Sequence, residues 1–355
     1  MIKEVLKQLW KDKFARIALI VLGIIYLALF LADFIAPYTK DFSDRTMAYV
    51  PPSKIFTIDE TGHISKPYTY NYIRDFNSQT LEIEYNLDRS KKHYVKFFEQ
   101  GQPYKFLGLI PMKRHLITTD SDGRLFLLGT DINGRDVFSR ILFGGRISMT
   151  IGFLALFVLF PIGLLYGGIS GYFGGKVDML MMRFAEAVMS IPSFYLLIIL
   201  ASILPSGMTS TQRFLLIVII LALIGWAGFA RVVRGMVLSI KSQEYIQAAQ
   251  SIGASKMRII IKHILPQTTS FVIVAMTLSI PSYILSESGL SFLGLGIQQP
   301  DASWGNMLKE AQEFTNILYR PWLLTPGFLI FVSVLAFNLI GDTIRDVLDP
   351  QSKVR

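Results

Sequence analysis

The 355-residue sequence contains no cysteine. That excludes disulfides, thiolate catalysis and cysteine-ligated metal, and it leaves the redox compartment open. Charge is scarce as well: Asp, Glu, Lys and Arg make up 17% of the residues against 52% hydrophobic ones, a balance too apolar for an average soluble domain. Nucleotide-binding and catalytic signatures are missing too. No stretch fits G-x-x-x-x-G-K-[ST], and Gly174-Gly175-Lys176 is a glycine turn without the rest of a phosphate loop. Gly289, Gly294 and Gly296 do not make a dinucleotide fingerprint. There is no HExxH pair, no GxSxG elbow and no convergent nucleophile, base and acid. The chain is therefore read as no enzyme, with no catalytic residue, no metal ligand and no bound cofactor. If it uses the energy of ATP, another chain must bind the ATP.

What the sequence has in abundance is long apolar runs. Residues 1–16 are basic (Lys3, Lys7, Lys11, Lys13, Arg16), and residues 17–36 form a run long enough to cross a bilayer, interrupted by Asp33 near its end. A short core with a small-residue cleavage site is absent, so this reads as an uncleaved transmembrane helix with a cytoplasmic N-terminus. Five more runs follow at about 147–170, 184–204, 214–230, 267–286 and 323–341. Six crossings place both termini in the cytoplasm of a multi-pass inner (plasma) membrane protein, with membrane lipid as a partner. The pieces between them on that side carry Lys176 and Arg183, then Arg231, Arg234, Lys241, Lys256, Arg258 and Lys262, then Arg345, Lys353 and Arg355, as the positive-inside rule requires. The net charge of +9 follows from this bias. No basic stripe interleaved with aromatics stands apart from the spans, so no nucleic-acid partner is assigned.

The chain divides into residues 1–36 (cytoplasmic N-terminus and first span), 37–146 (a large extracytoplasmic insert), 147–345 (five further spans) and 346–355 (a cytoplasmic tail). The insert is polar and aromatic, and long loops translocate largely regardless of charge. Residues 80–87 (TLEIEYNL) alternate as a strand does. Residues 116–119 and 124–128, on either side of Asp120-Ser121-Asp122-Gly123, read as a β-hairpin. A mixed α/β or β-rich fold is expected. His63, His93 and His115 are too far apart for a metal site and are read as solvated. Pro161, Pro192 and Pro281 fall inside spans, where each frees a backbone carbonyl and kinks the helix. Such kinks occur in moving pathways and in static bundles alike. Gly152, Gly163, Gly167 and Gly168 allow close helix packing. Glu186 and Glu287 are functional candidates as carboxylates near spans. Glu186, a turn from Arg183, and Glu287, near the end of its run, are also open to interfacial or ion-paired roles.

Residues 242–266 (SQEYIQAAQSIGASKMRIIIKHILP) lie between two apolar runs and are only half apolar. Tyr245, Ala248, Ala249 and Ile252 share one helical face, with Glu244, Gln247 and Ser251 opposite. Ser242 is placed to cap this helix and Gly253 to end it. Ser255 starts a second helix, in which Met257, Ile260, Ile261 and Ile264 repeat the spacing while Arg258 and Lys262 face away. Pro266 marks its boundary. Periodicity alone leaves a cytoplasmic helix–turn–helix knob and an ordinary interfacial loop equally open.

The residue identities go further. Gln247-Ala248-Ala249, Gly253 and Leu265-Pro266 resemble the E-A-A-x3-G-x9-I-x-L-P motif of ABC importer permeases, with Gln247 at the glutamate and His263 at the isoleucine. GTDINGRDVFSR (129–140), GYFGGKVD (171–178), ESGLSFLGLGIQQPDASWGNML (287–308) and RDVLDP (345–350) follow the same order as in the C-type permease subunit of dipeptide/oligopeptide/nickel ABC importers. The resemblance covers the first span and nearly everything from about residue 128, and it leaves the insert as the departure.

It implies an all-α polytopic membrane protein of the type I ABC importer permease type, with six transmembrane helices and the insert between the first two. It implies a homologous B-type permease, two ABC ATPases that hold ATP and magnesium, and an extracytoplasmic substrate-binding protein as partners. The stretch 242–266 would then be the coupling helix, with Glu244, Tyr245, Gln247, Ala248, Ala249, Ile252, Gly253, Ala254 and Pro266 at the ATPase contact. With Gln247 in place of the glutamate, docking is expected to rest on shape and apolar contact. Asp131, Arg135 and Asp136 are expected to pair with one another or with neighbouring chains at the outer mouth. A stand-alone secondary transporter or channel is the alternative. It predicts inverted repeats and mid-span ionisable relays, neither of which is evident.

Overall fold

Proline, glycine and apolar spacing set the order of elements. The computed structural model describes residues 2–59, 62–78, 82–205 and 207–348. Thr80 and Leu81 of the expected strand, and residues 349–355 with Lys353, Arg355 and the end of the RDVLDP block, lie outside the described residues. Helices α1 (Ile2–Lys11), α2 (Lys13–Phe30) and α3 (Ala32–Ile35) come first. Strands β1 (Phe56–Ile58), β2 (Ile64–Asn77), β3 (Glu82–Tyr94), β4 (Lys96–Phe97), β5 (Gln100–Phe106), β6 (Ile110–Arg114) and β7 (Ile117–Thr118) make up the insert. The rest is helical: α4 (Val137–Phe173), α5 (Gly175–Met189), α6 (Ser193–Ser202), α7 (Ser210–Ile240), α8 (Glu244–Ser251), α9 (Lys256–Ile259), α10 (Thr269–Phe292), α11 (Trp304–Leu308), α12 (Phe314–Tyr319) and α13 (Thr325–Leu348).

Among the described residues, five helical stretches are long and apolar enough to cross a membrane: Lys13–Phe30, Val137–Phe173, Ser210–Ile240, Lys256–Phe292 and Pro321–Leu348. The run expected at 184–204 is a bent pair, α5 and α6, meeting at 77°. Pro192 is the cause. It disfavours helical backbone at Ile191, and it has no N–H to continue a helix. Pro161 and Pro281, by contrast, lie inside continuous helices.

The chain forms two units, 1–22 with 149–290 and 331–355, and 23–148 with 291–330. In the first, glycines on α4 let the backbone and side chains of α7 come close. A Cβ at Gly163 would lie 2.5 Å from the Phe229 ring, at Gly167 2.4 Å from the Ala230 carbonyl oxygen, and at Gly171 2.8 Å from that of Arg234. The i, i+4, i+8 spacing puts all three on one stripe. Edge-on ring pairs, Phe160–Phe229 at 4.3 Å and Tyr166–Trp226 at 4.5 Å, flank the seam. Glu287 on α10 is fully buried, which removes the interfacial reading. Glu186 is exposed and pairs with Arg183 at 3.1 Å, as expected of neighbours one turn apart.

In the second unit, β1, β2 and β3 form an antiparallel sheet in that order, and β5–β6 and β4–β7 are separate two-stranded ladders. The β-rich expectation thus holds. Tyr38, Val50, Tyr72 and Phe126 form its core. The phenols reach backbone, as buried tyrosines must: Tyr72 donates to the Pro52 carbonyl at 3.0 Å, and Tyr38 accepts the Leu125 N–H at 2.9 Å. The hairpin expected over 116–128 does not form. Ile117–Thr118 pairs with Lys96–Phe97. The N–H groups of Arg124 and Phe126 are taken by Asn71 and Ser53 side chains, so only the turn survives (Gly123 N–H to Asp120 carbonyl, 2.9 Å). His93 and His115 are buried, not solvated. The His115 ring nitrogens lie 2.7 and 2.8 Å from the Ala36 and Gln102 carbonyls, tying β6 to the end of the first span.

Candidate functional site

The 242–266 stretch is a helix–turn–helix in the first unit. Gln243, not Ser242, occupies the N-cap position of α8, and no side chain caps it. Ser242 Oγ instead donates to the Ser239 carbonyl at 2.9 Å and closes α7. Gly253 ends α8 with φ +83°. The Gly253 N–H donates to the Gln250 carbonyl (3.0 Å) and the Ala254 N–H to the Ala249 carbonyl (3.1 Å), a Schellman closure that needs a left-handed residue. After α9 the chain widens into one π-turn at Ile260–Ile264 and tightens into a 3-10 turn at Leu265–Thr268, with Pro266 in its first positions. The π-turn shifts the apolar face. The buried set is Ile259, Ile260 and Ile264, while Met257 and Ile261 are exposed, against the 3.6-residue expectation.

The expected face of α8 also divides. Ile246 and Ala249 are buried together with Val233 and Val237 of α7 and with Ile259 and Ile264, and Ala254 packs at the edge. Ala249 is therefore spent on the chain's own core. Glu244, Tyr245, Gln247, Ala248, Ile252 and Gly253 are exposed. Ile252 is 85% exposed, so packing within this chain does not account for it. One contact ties the knob to the end of α4, and two more tie α7, on which it packs, to α4 and α5. Gln250 Nε2 donates to Tyr172 Oη at 3.2 Å, Lys241 Nζ donates to the Gly171 carbonyl at 3.1 Å, and Arg234 forms a two-pronged ion pair with Asp178 (Nε to Oδ1 2.9 Å), which also accepts Ser170 Oγ–H at 2.5 Å. Asp178 and Arg234 belong to no local pattern, being 56 residues apart. The one available signal was an aspartate within GYFGGKVD and an arginine just past an apolar run.

The GTD/GRD segment is a buried bracket in the second unit. Gly129 and Gly134 have φ of +70° and +65°, and a Cβ at Gly134 would lie 1.7 Å from the Asp44 carbonyl oxygen. Asp131 pairs with Arg135 (2.6 Å), accepts the N–H groups of Asn133 (2.9 Å) and Arg135 (3.0 Å), and lies 3.5 Å from Arg140. Gln299 Oε1 accepts from both arginines, and Glu310 accepts the Ile132 N–H at 3.0 Å and stands 3.9 Å from Arg135. Arg140, Gln299 and Glu310 were missed as members of this network; the place of Arg140 and Gln299 in two motif blocks was a signal, and Glu310, two residues past the second block, had none.

Asp136 takes no part in the pairing. Its Oδ2 accepts the Ser139 N–H and Oγ–H at 2.7 and 2.6 Å, so it caps α4. Burial outweighs these donors and pushes its carboxyl up to about 7. Burial, then the negative charge of Asp131, raises Glu310 as well. The charged partners named here all come from this chain, while Arg135 Nη2 and Asp136 Oδ1 are buried without a hydrogen-bond partner among the described residues.

Residues 139–354 match the family model described as binding-protein-dependent transport system inner membrane component. The chain belongs to this family. Its members are membrane components of transport systems rather than enzymes. Residues 1–52 match a second model, the N-terminal TM domain of oligopeptide transport permease C. The seven strands among the described residues all fall between the two matches.

The permease is 44% identical to the dipeptide transport system permease protein DppC of Bacillus subtilis (strain 168) over 225 residues, 63% of this chain and 68% of that one. It is 44% identical to the oligopeptide transport system permease protein OppC of Haemophilus influenzae over 226 residues, 63% and 70% of the two chains. It is 42% identical to the glutathione transport system permease protein GsiD of Escherichia coli O157:H7, again over 226 residues, 63% and 72% of the two chains.

Proposed function

We propose that this permease forms half of the translocation pathway of an ATP-driven importer of peptides. The observation that carries the reading is the knob: its inner face is fixed to α7, while Tyr245, Ala248, Ile252 and Gly253 are left bare. Those four form the contact with an ATPase, Glu244 and Gln247 flank it, and Ala249, Ala254 and Pro266 hold the knob in shape. ATP and magnesium sit on two partner ATPases, because the chain has no phosphate loop. A homologous B-type permease completes the pathway, and an extracytoplasmic binding protein delivers the cargo. Similarity to dipeptide, oligopeptide and glutathione permeases supports peptide cargo.

In this reading the bent pair α5–α6 is one span, which makes six. Both termini and the knob face the cytoplasm, and residues 37–146 face outside. The domain limits are 1–36, 37–146, 147–345 and 346–355. Asp131, Arg135 and Asp136 keep the outer mouth in shape. The test is reconstitution of the permease with its sister subunit, ATPases and binding protein in vesicles, followed by ATP hydrolysis and uptake of labelled di- and oligopeptides. Peptide-stimulated hydrolysis is expected only with all parts present. Uptake by the permease alone without ATP would instead favour a stand-alone transporter.

A further inference from the structure

The β5–β6 hairpin turns over through Phe106, Leu107, Gly108, Leu109 and Ile110. Exposed turns are ordinarily made of Gly, Asn, Asp and Ser, yet here Leu107, Leu109 and Ile110 are all exposed, Leu109 to 81%. Leu107 even adopts φ +50°, which disfavours an apolar side chain. The tip is held in place. Leu107 N–H donates to Asp33 Oδ2 at 3.1 Å, the Phe106 ring meets Phe30 edge-on at 5.7 Å, and Phe98 lies 6.0 Å from Phe34. Asp33 is anchored in turn by Arg146 at 2.7 Å, whose guanidinium also donates to the Leu29 and Phe30 carbonyls. Phe30 ends α2, and Ile24, Leu27 and Phe30 are exposed along that helix. The bare tip thus continues the apolar surface of a membrane-crossing helix at its end.

Beside the tip opens a cavity of about 830 Å³ whose charged lining is Lys40, Lys105, Lys113, Arg146, Asp33 and Asp41. The Asp33–Arg146 pair cancels itself, which leaves three lysines facing one aspartate. None of the three lysines has an ion-pair partner among the described residues. Apolar side chains level with the end of a span, with unpaired ammonium groups beside them, match the two layers of a bilayer interface: acyl chain and headgroup phosphate. We infer that the β5–β6 tip is inserted into the bilayer interface beside the first span, with the phosphate of an anionic phospholipid seated among Lys40, Lys105 and Lys113. A substrate-binding protein or sister permease would be the competing occupant, but neither accounts for the continuity with α2.

The lack of cysteine makes the test direct. Nitroxide labels are placed on Leu109→Cys, Ile24→Cys and Ile64→Cys in the whole transporter, reconstituted in vesicles of phosphatidylcholine and phosphatidylglycerol. Ile64 on β2 is 92% exposed and reports water. The label at 109 is expected to relax faster with oxygen than with a water-soluble nickel chelate, as at 24, with the reverse order at 64. The order seen at 64 appearing also at 109 overturns the inference. Shielding from both reagents overturns it too, because protein then covers the tip. In the second arm, Lys105→Gln and Lys113→Gln should each lower retention of phosphatidylglycerol over phosphatidylcholine on the purified complex about fivefold, from roughly 1 kcal/mol per lysine at an anionic surface. Unchanged retention in both variants, or loss of the retained phosphatidylglycerol to added inorganic phosphate at equal concentration, removes the lipid headgroup from the cavity.

Discussion

Gly253 offers the sharpest separation between holding the knob in shape and docking it. Its φ is +83°, and a Cβ built there meets nothing within 4 Å. A side chain at this position therefore suffers no clash, and its only intrinsic penalty is the left-handed backbone, about 1–2 kcal/mol for an L-residue and less for asparagine. Alanine and arginine pay the same backbone penalty but differ in reach and charge at the surface. In the reconstituted importer, Gly253→Asn is expected to hydrolyse ATP at nearly the parent rate. Gly253→Ala is expected to lose a modest fraction, and Gly253→Arg to lose peptide-stimulated hydrolysis and ATPase co-purification while still inserting in the membrane. If Gly253→Arg is as active as Gly253→Ala, nothing docks at the turn and the coupling assignment fails. Ala249→Arg should also abolish transport, but it is a poorer probe: Ala249 is buried against α7, so that variant breaks the knob itself.

Gly167→Ala should lower the thermal stability of the solubilised permease by about 1–3 kcal/mol, the usual penalty of overpacking, because its Cβ would lie 2.4 Å from a carbonyl oxygen. Gly152→Ala, where the nearest atoms stand at 3.5 Å, should change little, and equal melting shifts would refute the seam. Asp136 titrates near 7 when folded, against 3.8 as its ordinary value. The native state thus holds a proton that the unfolded chain releases, and stability from this group is full below pH 4 and lost as pH rises through about 7. Asp136→Asn keeps an acceptor for Ser139 and should flatten that decline in unfolding followed by tryptophan fluorescence; a slope equal to the parent's would dismiss the buried carboxyl as its source. A cysteine at Ser65 should label from outside and one at Ser255 only after permeabilisation, and the reverse pattern would invert the topology.

The parts legible in the sequence are those fixed within a turn or two of chain. Gly253 declares its left-handed turn because no other residue type is as free there, and the α8 length follows from it. Which alanine of Ala248-Ala249 faces inward was not legible, since both are the same residue and only the position of α7 decides. The face of the second helix was misread because one π-turn at Ile260–Ile264 moves the spacing from i+4 to i+5, which no local residue announces. Pro192 was visible as a kink, but its 77° bend depends on what the two halves pack against. Asp136 was read as a partner for arginine because charge alone was counted. Its neighbour three residues on, Ser139, makes it a cap. The buried histidines follow from strand pairings across the insert that alternation does not specify.

The same stretch of α7 serves two contacts, and this bears on how a push at the knob would travel in the proposed importer. Residues 229–237 meet the α4 glycines from Phe229 to Val237. Val233 and Val237 also bury Ile246, Ala249, Ile259 and Ile264 of the knob. Arg234, between them, is held by Asp178 just beyond α4. A knob displaced by an ATPase cannot slide over α7 without opening a packed core, and α7 cannot slide over α4 without driving the Phe229 ring, the Ala230 carbonyl and the Val233 and Val237 side chains against the glycine stripe. Closely packed interfaces of this kind respond as rigid pieces rather than by continuous deformation. The compliant points must then lie elsewhere in the unit. The helix break at Pro192, where an N–H is missing and the chain already turns through 77°, is where the sequence supplies one.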